Sequence, residues 1–244
     1  MRFSTTPSRC LLLALTAWCV LALLVFPALA FAGSGALPNR FDLRDVGGVA
    51  YIGPVKDQGS LGTCYAFAAA ATAESTYNRA QDPYDGDPIS LSESFIIWSL
   101  GQKYDGFGPR GASLAYEELQ ALVDYGTCRE EAFPYTSGQE ANRYIIDLYH
   151  TLDYHWDAPR IRFAGWHRLP NNDIATIKRA MTTFGAVNAG VYADRAFSAY
   201  HNGVFTDNAT TADHPLEYYS ETNHAISLVG WEDNAIESGA GAWI

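Results

Sequence analysis

Two residues in this chain combine a reactive side chain with a local sequence that can aim it. Cys64 follows the glycine-punctuated run Gln58-Gly59-Ser60-Leu61-Gly62-Thr63 and leads an alanine-rich stretch that continues to about Tyr77. Ala66, Ala68, Ala69, Ala70, Ala71 and Ala73 are strong helix formers, and Thr63 stands where an N-cap would. The spacing predicts a helix with Cys64 in its first turn. There the unpaired backbone N–H groups and the positive end of the helix dipole favour thiolate over thiol. The second residue is His224, which opens the run Ala225-Ile226-Ser227-Leu228-Val229 before Gly230. That run reads as a strand, so the imidazole emerges at a strand end. A cysteine and a histidine from distant parts of a chain can form a thiolate–imidazolium pair. Its chemistry is acyl transfer, with attack by sulfur and protonation of the leaving group by the imidazolium. Taken singly, a free cysteine is more often a small buried hydrophobe and a histidine more often structural.

The elements around these residues follow from the same pattern reading. Ser90 and Glu93 have the spacing of a capping box before Phe95-Ile96-Ile97-Trp98, which predicts a second helix. Apolar residues at Leu114, Ala115, Leu119, Leu122 and Val123 predict an amphipathic helix from Ala112 to Tyr125. Asn172 to Phe184 reads as another helix, capped by Asn172 or Asp173 and stopped at Gly185, with a strand over Ala186 to Tyr192. The aromatic-rich stretch from Gln139 to Arg168 carries a stripe at Tyr144, Ile145, Leu148, Tyr149 and Leu152, for which core packing is the default. No chemistry is assigned to His150, His155, His167 or His201.

Residues 1–32 read as a secretory signal: Arg2 and Arg9, then an apolar core from Leu11 to Phe26, then the small-x-small site Ala28-Leu29-Ala30. A second frame, Ala30-Phe31-Ala32, would start the mature chain at Gly33. Loss of Arg2 and Arg9 leaves 14 basic against 27 acidic residues, a net charge of −13. So acidic a product argues against nucleic acid or an anionic membrane as partner. Processing also leaves two cysteines, Cys64 and Cys128. With a reduced nucleophile the fold rests on its 48% apolar content and not on disulfides, while a Cys64–Cys128 disulfide is the competing reading. No C-x-x-C or H-x-x-x-H spacing points to a metal, and no cofactor is expected.

Gln58-Gly59-Ser60-Leu61-Gly62-Thr63-Cys64-Tyr65-Ala66-Phe67 resembles the active-site segment of papain-like cysteine peptidases, Gln-Gly-x-Cys-Gly-Ser-Cys-Trp-Ala-Phe. Leu61 stands where the family has a disulfide cysteine, and Tyr65 where it commonly has Trp. Leu37 to Arg44 resembles the opening of the mature domain, Leu91-Ser92-Glu93 its Leu-Ser-Glu-Gln helix start, and Ala132-Phe133-Pro134-Tyr135 its Tyr-Pro-Tyr hinge. Asn223-His224-Ala225-Ile226-Ser227-Leu228-Val229-Gly230-Trp231 is similar to its histidine strand. Cys64 and His224 are 160 residues apart, slightly beyond the usual interval of about 130–150. The resemblance implies that Cys64 is the nucleophile, that His224 is its acid–base partner, and that Gln58 and the Cys64 backbone N–H hold the oxyanion. It further implies substrate contacts at Gly111 and Asn223. Gly111 matches the second glycine of the family's substrate loop, and Arg110 replaces the first.

The implied fold is α+β and two-lobed, with signal residues 1–32 followed by a peptidase domain over 33–244. A helical lobe is expected over about 41–135 and an antiparallel sheet or barrel lobe over about 136–244. The implied product is a secreted endopeptidase acting on peptide or protein substrates. Two further expectations concern the ends: no room for a pro-segment before the domain, and a last strand that stops three residues short of the family's triad Asn. Two rival readings accompany this one. The first is a truncated, catalytically weak or dead module that binds peptides or partner proteins; the second is a Cys-His hydrolase of cell-wall peptides or amides.

Overall fold

Alanine decides how the first helix packs. In the computed structural model, which describes residues 35–101, 116–135, 158–206, 222–236 and 239–244, helix α1 runs from Cys64 to Arg79. Its small side chains let neighbours approach on several faces, so Ala66, Ala68, Ala69, Ala70 and Ala73 are all buried. The polar residues buried with them each find a partner, as burial requires. Ser75 Oγ accepts from the Ala186 N–H at 3.1 Å, Asn78 Oδ1 from the Ile89 N–H at 3.2 Å, and Glu74 Oε1 from the Leu91 N–H at 2.7 Å.

Helices α2 (Glu93–Gly101) and α3 (Glu117–Asp124) close over α1. Ile96, Ile97, Leu100, Ala121 and Leu122 share one apolar cluster with the α1 alanines and with Leu61. A second cluster joins Phe95, Trp98 and Phe133 around Cys128. Each large side chain sealed there contributes roughly 1.5–3 kcal/mol. The α2 cap differs from the capping-box expectation. Ser92 Oγ, not Ser90, accepts from the Phe95 N–H at 2.9 Å, and it donates onward to the Phe133 carbonyl at 2.6 Å. The Ser90 carbonyl instead receives the N–H of Glu130 at 3.0 Å. Glu93 thereby becomes the first residue of the helix and turns its carboxylate to Lys56.

The second half contains helix α4 (Ile174–Phe184), strand β2 (Val187–Val191), the short helix α5 (Arg195–Ser198) and strand β3 (His224–Leu228). Of the two candidate caps for α4, Asp173 serves, taking the Thr176 N–H at 3.0 Å, and Gly185 ends the helix. Strands β2 and β3 pair antiparallel from Val187 opposite Leu228 to Val191 opposite His224. A three-stranded sheet has the order β1 (Arg40–Asp42), β4 (Gly230–Glu232), β5 (Ala242–Trp243). Thus the chain enters through the sheet before it builds the helices. The third core, Met181, Leu228 and Trp231, lies where α4, β3 and β4 meet, and Phe41 of β1 stacks on Trp231 at 5.0 Å.

Candidate active site

The helix that begins at Cys64 and the strand that begins at His224 lie side by side. Thr72 Oγ1 of α1 and Ser227 Oγ of β3 are hydrogen-bonded at 3.0 Å. Further along, Ser75 of α1 meets Ala186, which leads into Val187, the partner of Leu228. Going from Thr72 to Ser75 therefore corresponds to going from Ser227 to Leu228, and the two elements run in the same direction. Backwards from the Thr72–Ser227 contact, Cys64 is eight residues along the helix, about 12 Å. His224 is three residues back along the strand, about 10 Å. Both residues thus fall at the same end of the helix–strand pair. Each is half-buried, and both Cys64 and Cys128 are free thiols.

The surroundings of His224 are apolar on one side, with the Phe197 ring of α5 at 6.1 Å centroid to centroid. Burial lowers the pKa of the imidazole from its ordinary value of 6.5, because the charged form loses hydration. Asn223 beside it is committed to the turn after β2. Its Oδ1 accepts from the Ala193 N–H at 2.7 Å, its Nδ2 donates to the Ala193 carbonyl at 2.9 Å, and its backbone N–H donates to Val191 at 3.1 Å. The side chain is a splint that holds the approach to β3.

On the other side of Cys64, the loop from Gln58 to Thr63 is held by its own atoms and by one distant residue. Gln58 Nε2 donates to the Leu61 carbonyl at 2.7 Å, and Gly59, at φ +63°, makes the left-handed turn that brings the two together. Leu61, where the sequence comparison expects a cysteine, is buried in the α1 core and anchors the loop by packing. Thr63 occupies the N-cap position of α1, yet its hydroxyl makes no bond to the helix. It lies 2.9 Å from the hydroxyl of Tyr135, which donates to the Gln58 carbonyl at 2.9 Å.

Beneath this loop is a cluster that pattern reading missed. Lys56 Nζ donates to Glu74 Oε1 at 2.8 Å, to Glu93 Oε1 at 2.6 Å and to the Leu91 carbonyl at 3.0 Å. Glu130 adds a third carboxyl, in hydrogen-bonding contact with Glu93. One ammonium cannot balance three carboxylates in so buried a place, and burial raises the pKa of Glu74, of Glu130 and of Glu93, the last to about 7. A cavity of about 370 Å³ adjoins the cluster, lined by Lys56, Glu74, Glu93, Glu130 and Tyr135 among others. The available signals were a lysine two residues before Gln58 and a glutamate within an alanine face.

Cys128 differs from the half-buried Cys64 in its exposure. It is fully buried, and desolvation pushes its thiol up to about 11. Gly111 and its loop lie outside the described residues, as do residues 1–34 and the aromatic stripe from Tyr144 to Leu152. Among the described residues no group of three or more His, Cys, Asp or Glu could hold a metal ion, and no helix is long and apolar enough to cross a membrane.

Comparison with known proteins agrees with this architecture. The family model described as papain family cysteine protease matches residues 37–244. The chain belongs to the papain family of cysteine proteases. Among the papain-family relatives it is similar to are oryzain gamma chain of Oryza sativa subsp. japonica, 28% identical over 86% of this chain, and cathepsin K of Gallus gallus, 27% identical over 86%. These matches take in 51% and 54% of the respective relatives, so the chain spans about half their length. Among solved structures, the bromelain protease from Ananas comosus in complex with the E64 inhibitor has a TM-score of 0.62 at 24% identity. That match covers 85% of this chain and 81% of bromelain. The recombinant stem bromelain precursor has a TM-score of 0.62 at 25% identity, covering 86% of this chain and 58% of that one.

Proposed function

We propose that this papain-family chain is a secreted cysteine endopeptidase in which Cys64, His224 and Gln58 carry out peptide-bond hydrolysis. The observation that carries the reading is the parallel course of α1 and β3, with Cys64 and His224 at the same end of the pair. The Cys64 thiolate attacks the carbonyl carbon of the scissile peptide, forming a C–S bond while the carbonyl electrons move to oxygen. Gln58 and the Cys64 backbone N–H face the resulting oxyanion. One N–H of the Gln58 amide is committed to Leu61, and the other serves the substrate. As the C–N bond breaks, the His224 imidazolium gives its proton to the departing amine. Water then attacks the thioester, losing a proton to His224, and releases the acid and the thiolate. Asn223, its side chain already occupied by Ala193, offers its main-chain carbonyl to the substrate backbone. Gly111 would supply the matching backbone contact from the opposite side, on the strength of the sequence pattern. Export rests on the signal-like residues 1–32.

The test is selective alkylation coupled to turnover of a peptide substrate. Iodoacetamide at mildly acidic pH is expected to modify Cys64 and abolish turnover, leaving Cys128 unmodified until the protein is denatured, with His224→Ala slowing the reaction. Gln58→Ala is expected to leave labelling intact and to lower turnover roughly 100- to 1000-fold. Peptide binding that persists without turnover in the unmodified protein would instead identify a binding module. Equal labelling of the two cysteines would remove the assignment of the nucleophile.

A further inference from the structure

Tyr135 closes the loop that precedes Cys64 into a ring. Its single hydroxyl proton goes to the Gln58 carbonyl at 2.9 Å, so at the 2.9 Å contact with Thr63 the threonine hydroxyl is the donor. One oxygen thus ties the residue that starts the loop to the residue that ends it, and Thr63 is completely buried. Inside the ring the Gln58 side chain reaches Leu61. The phenol is fixed in turn. Its ring meets Phe67, one turn beyond Cys64, edge to face at 4.7 Å and 88°. Its backbone N–H donates to Glu130 Oε1, and Glu130 connects through Glu93 to Lys56, two residues before Gln58. The hydroxyl is held from the ring side and the backbone side, while both groups it grips flank the proposed oxyanion donors. Burial raises its pKa from 10, so it remains a neutral donor across the working range of the enzyme.

We propose that Tyr135 is the positioning residue of the oxyanion loop: its hydroxyl sets where Gln58 and the Cys64 N–H stand, so it acts on turnover through them. The inference rests on the assignment of Cys64 and Gln58 above. A transition-state donor must be placed in advance, since any motion it makes during the reaction is paid from catalysis. Loosening the ring therefore lowers kcat and leaves KM nearly unchanged, because substrate binding relies on other contacts. A tyrosine that only filled the core would behave differently: its loss would lower the melting temperature and leave turnover per active site as before.

The experiment compares Tyr135→Phe, Gln58→Ala and the double variant in the full chain, with active sites counted by Cys64 alkylation. Tyr135→Phe keeps the Phe67 contact and removes the hydroxyl alone. Expected is a five- to tenfold loss of kcat per labelled site, the scale of one neutral hydrogen bond, with KM within about twofold. In the Gln58→Ala background the same change is expected to have little further effect, because the group it positions is gone. Thr63→Val removes one of the two bonds and is expected to give a smaller loss in the same direction, and it carries the test if Tyr135→Phe does not fold. An unchanged kcat per labelled site, or an equal loss with and without Gln58, would overturn the proposal while Gln58→Ala alone stayed impaired. If Gln58→Ala were fully active, the oxyanion assignment itself would fall and the role of Tyr135 with it.

Discussion

Burial of His224 and its proposed pairing with Cys64 would act on its charge in opposite directions, and the two are separable by experiment. Burial disfavours its charged form, while a neighbouring thiolate would favour it. In a Cys64→Ala variant only burial remains, so the imidazole is expected to titrate below 6.5, as read by NMR of its ring protons. A midpoint at or above 6.5 would mean that the surroundings of β3 are wetter than the Phe197 contact implies. The unmodified protein should titrate higher, and the difference measures the pairing. What was legible at this scale were residue types that stand out against their neighbours: a cysteine after glycines, a histidine before an apolar run, a glutamine at fixed spacing. That Tyr135 and Glu130 stand beside the candidate site is not legible in the sequence, because their partners are supplied by folding. Tyr135 meets Gln58 across 77 residues, and no local pattern encodes that meeting. Thr63 shows the same effect, since its hydroxyl abandons the cap for Tyr135.

Helix α1 has the opposite history, for its start, its composition and its burial all follow from local sequence. The observed span, Cys64 to Arg79, extends two residues past the Tyr77 at which the sequence places its end. The caps of α4 were equally readable, since Asp173 and Gly185 act through neighbours in the chain. Gly185 also has a task that the pattern does not state. At φ +120° it lies so close to α1 that an added Cβ would be 2.7 Å from Ser75 Oγ and 3.0 Å from the Ser75 backbone. Gly185→Ala is therefore expected to destabilise the protein by about 2 kcal/mol or more, combining backbone strain with the displaced Ser75–Ala186 bond. Chemical denaturation checks it; a change below about 0.5 kcal/mol would show that the α1–α4 contact can relax. The α2 cap was misassigned for a related reason. Ser90 has the capping-box spacing and Ser92, three before Phe95, does not; Ser92 nevertheless caps, because Phe133 and Glu130 from a later segment engage the two serines.

At the scale of the whole molecule, the Lys56–Glu74–Glu93–Glu130 cluster joins the proposed oxyanion loop to α1, α2 and the turn at Glu130, and it gives stability a pH dependence of definite sign. The pKa of Glu93 rises from 4.5 unfolded to about 7 folded, so between these values the folded state holds more protons. Its contribution is fully present below about pH 4.5 and is lost as pH rises through 7. The melting temperature is accordingly expected to fall by several degrees from pH 5 to pH 7.5, and Glu93→Gln, which carries a permanent neutral amide, is expected to flatten that slope. A profile unchanged by Glu93→Gln would place the titration elsewhere. Sequence reading assigned the helical half to start at about residue 41, whereas β1, at Arg40–Asp42, pairs with β4 at Gly230–Glu232. Neither strand displays its partner, since both are three residues long and the segments are 192 residues apart at Arg40 and Glu232. That pairing has a consequence for the timing of synthesis. At about 5–20 residues per second, β1 leaves the ribosome some 10–40 s before β4 exists to receive it. The helices between the two strands are made in that interval, while β1 and Phe41 have no partner strand until β4 follows, so this pairing can form only after those helices have been synthesised.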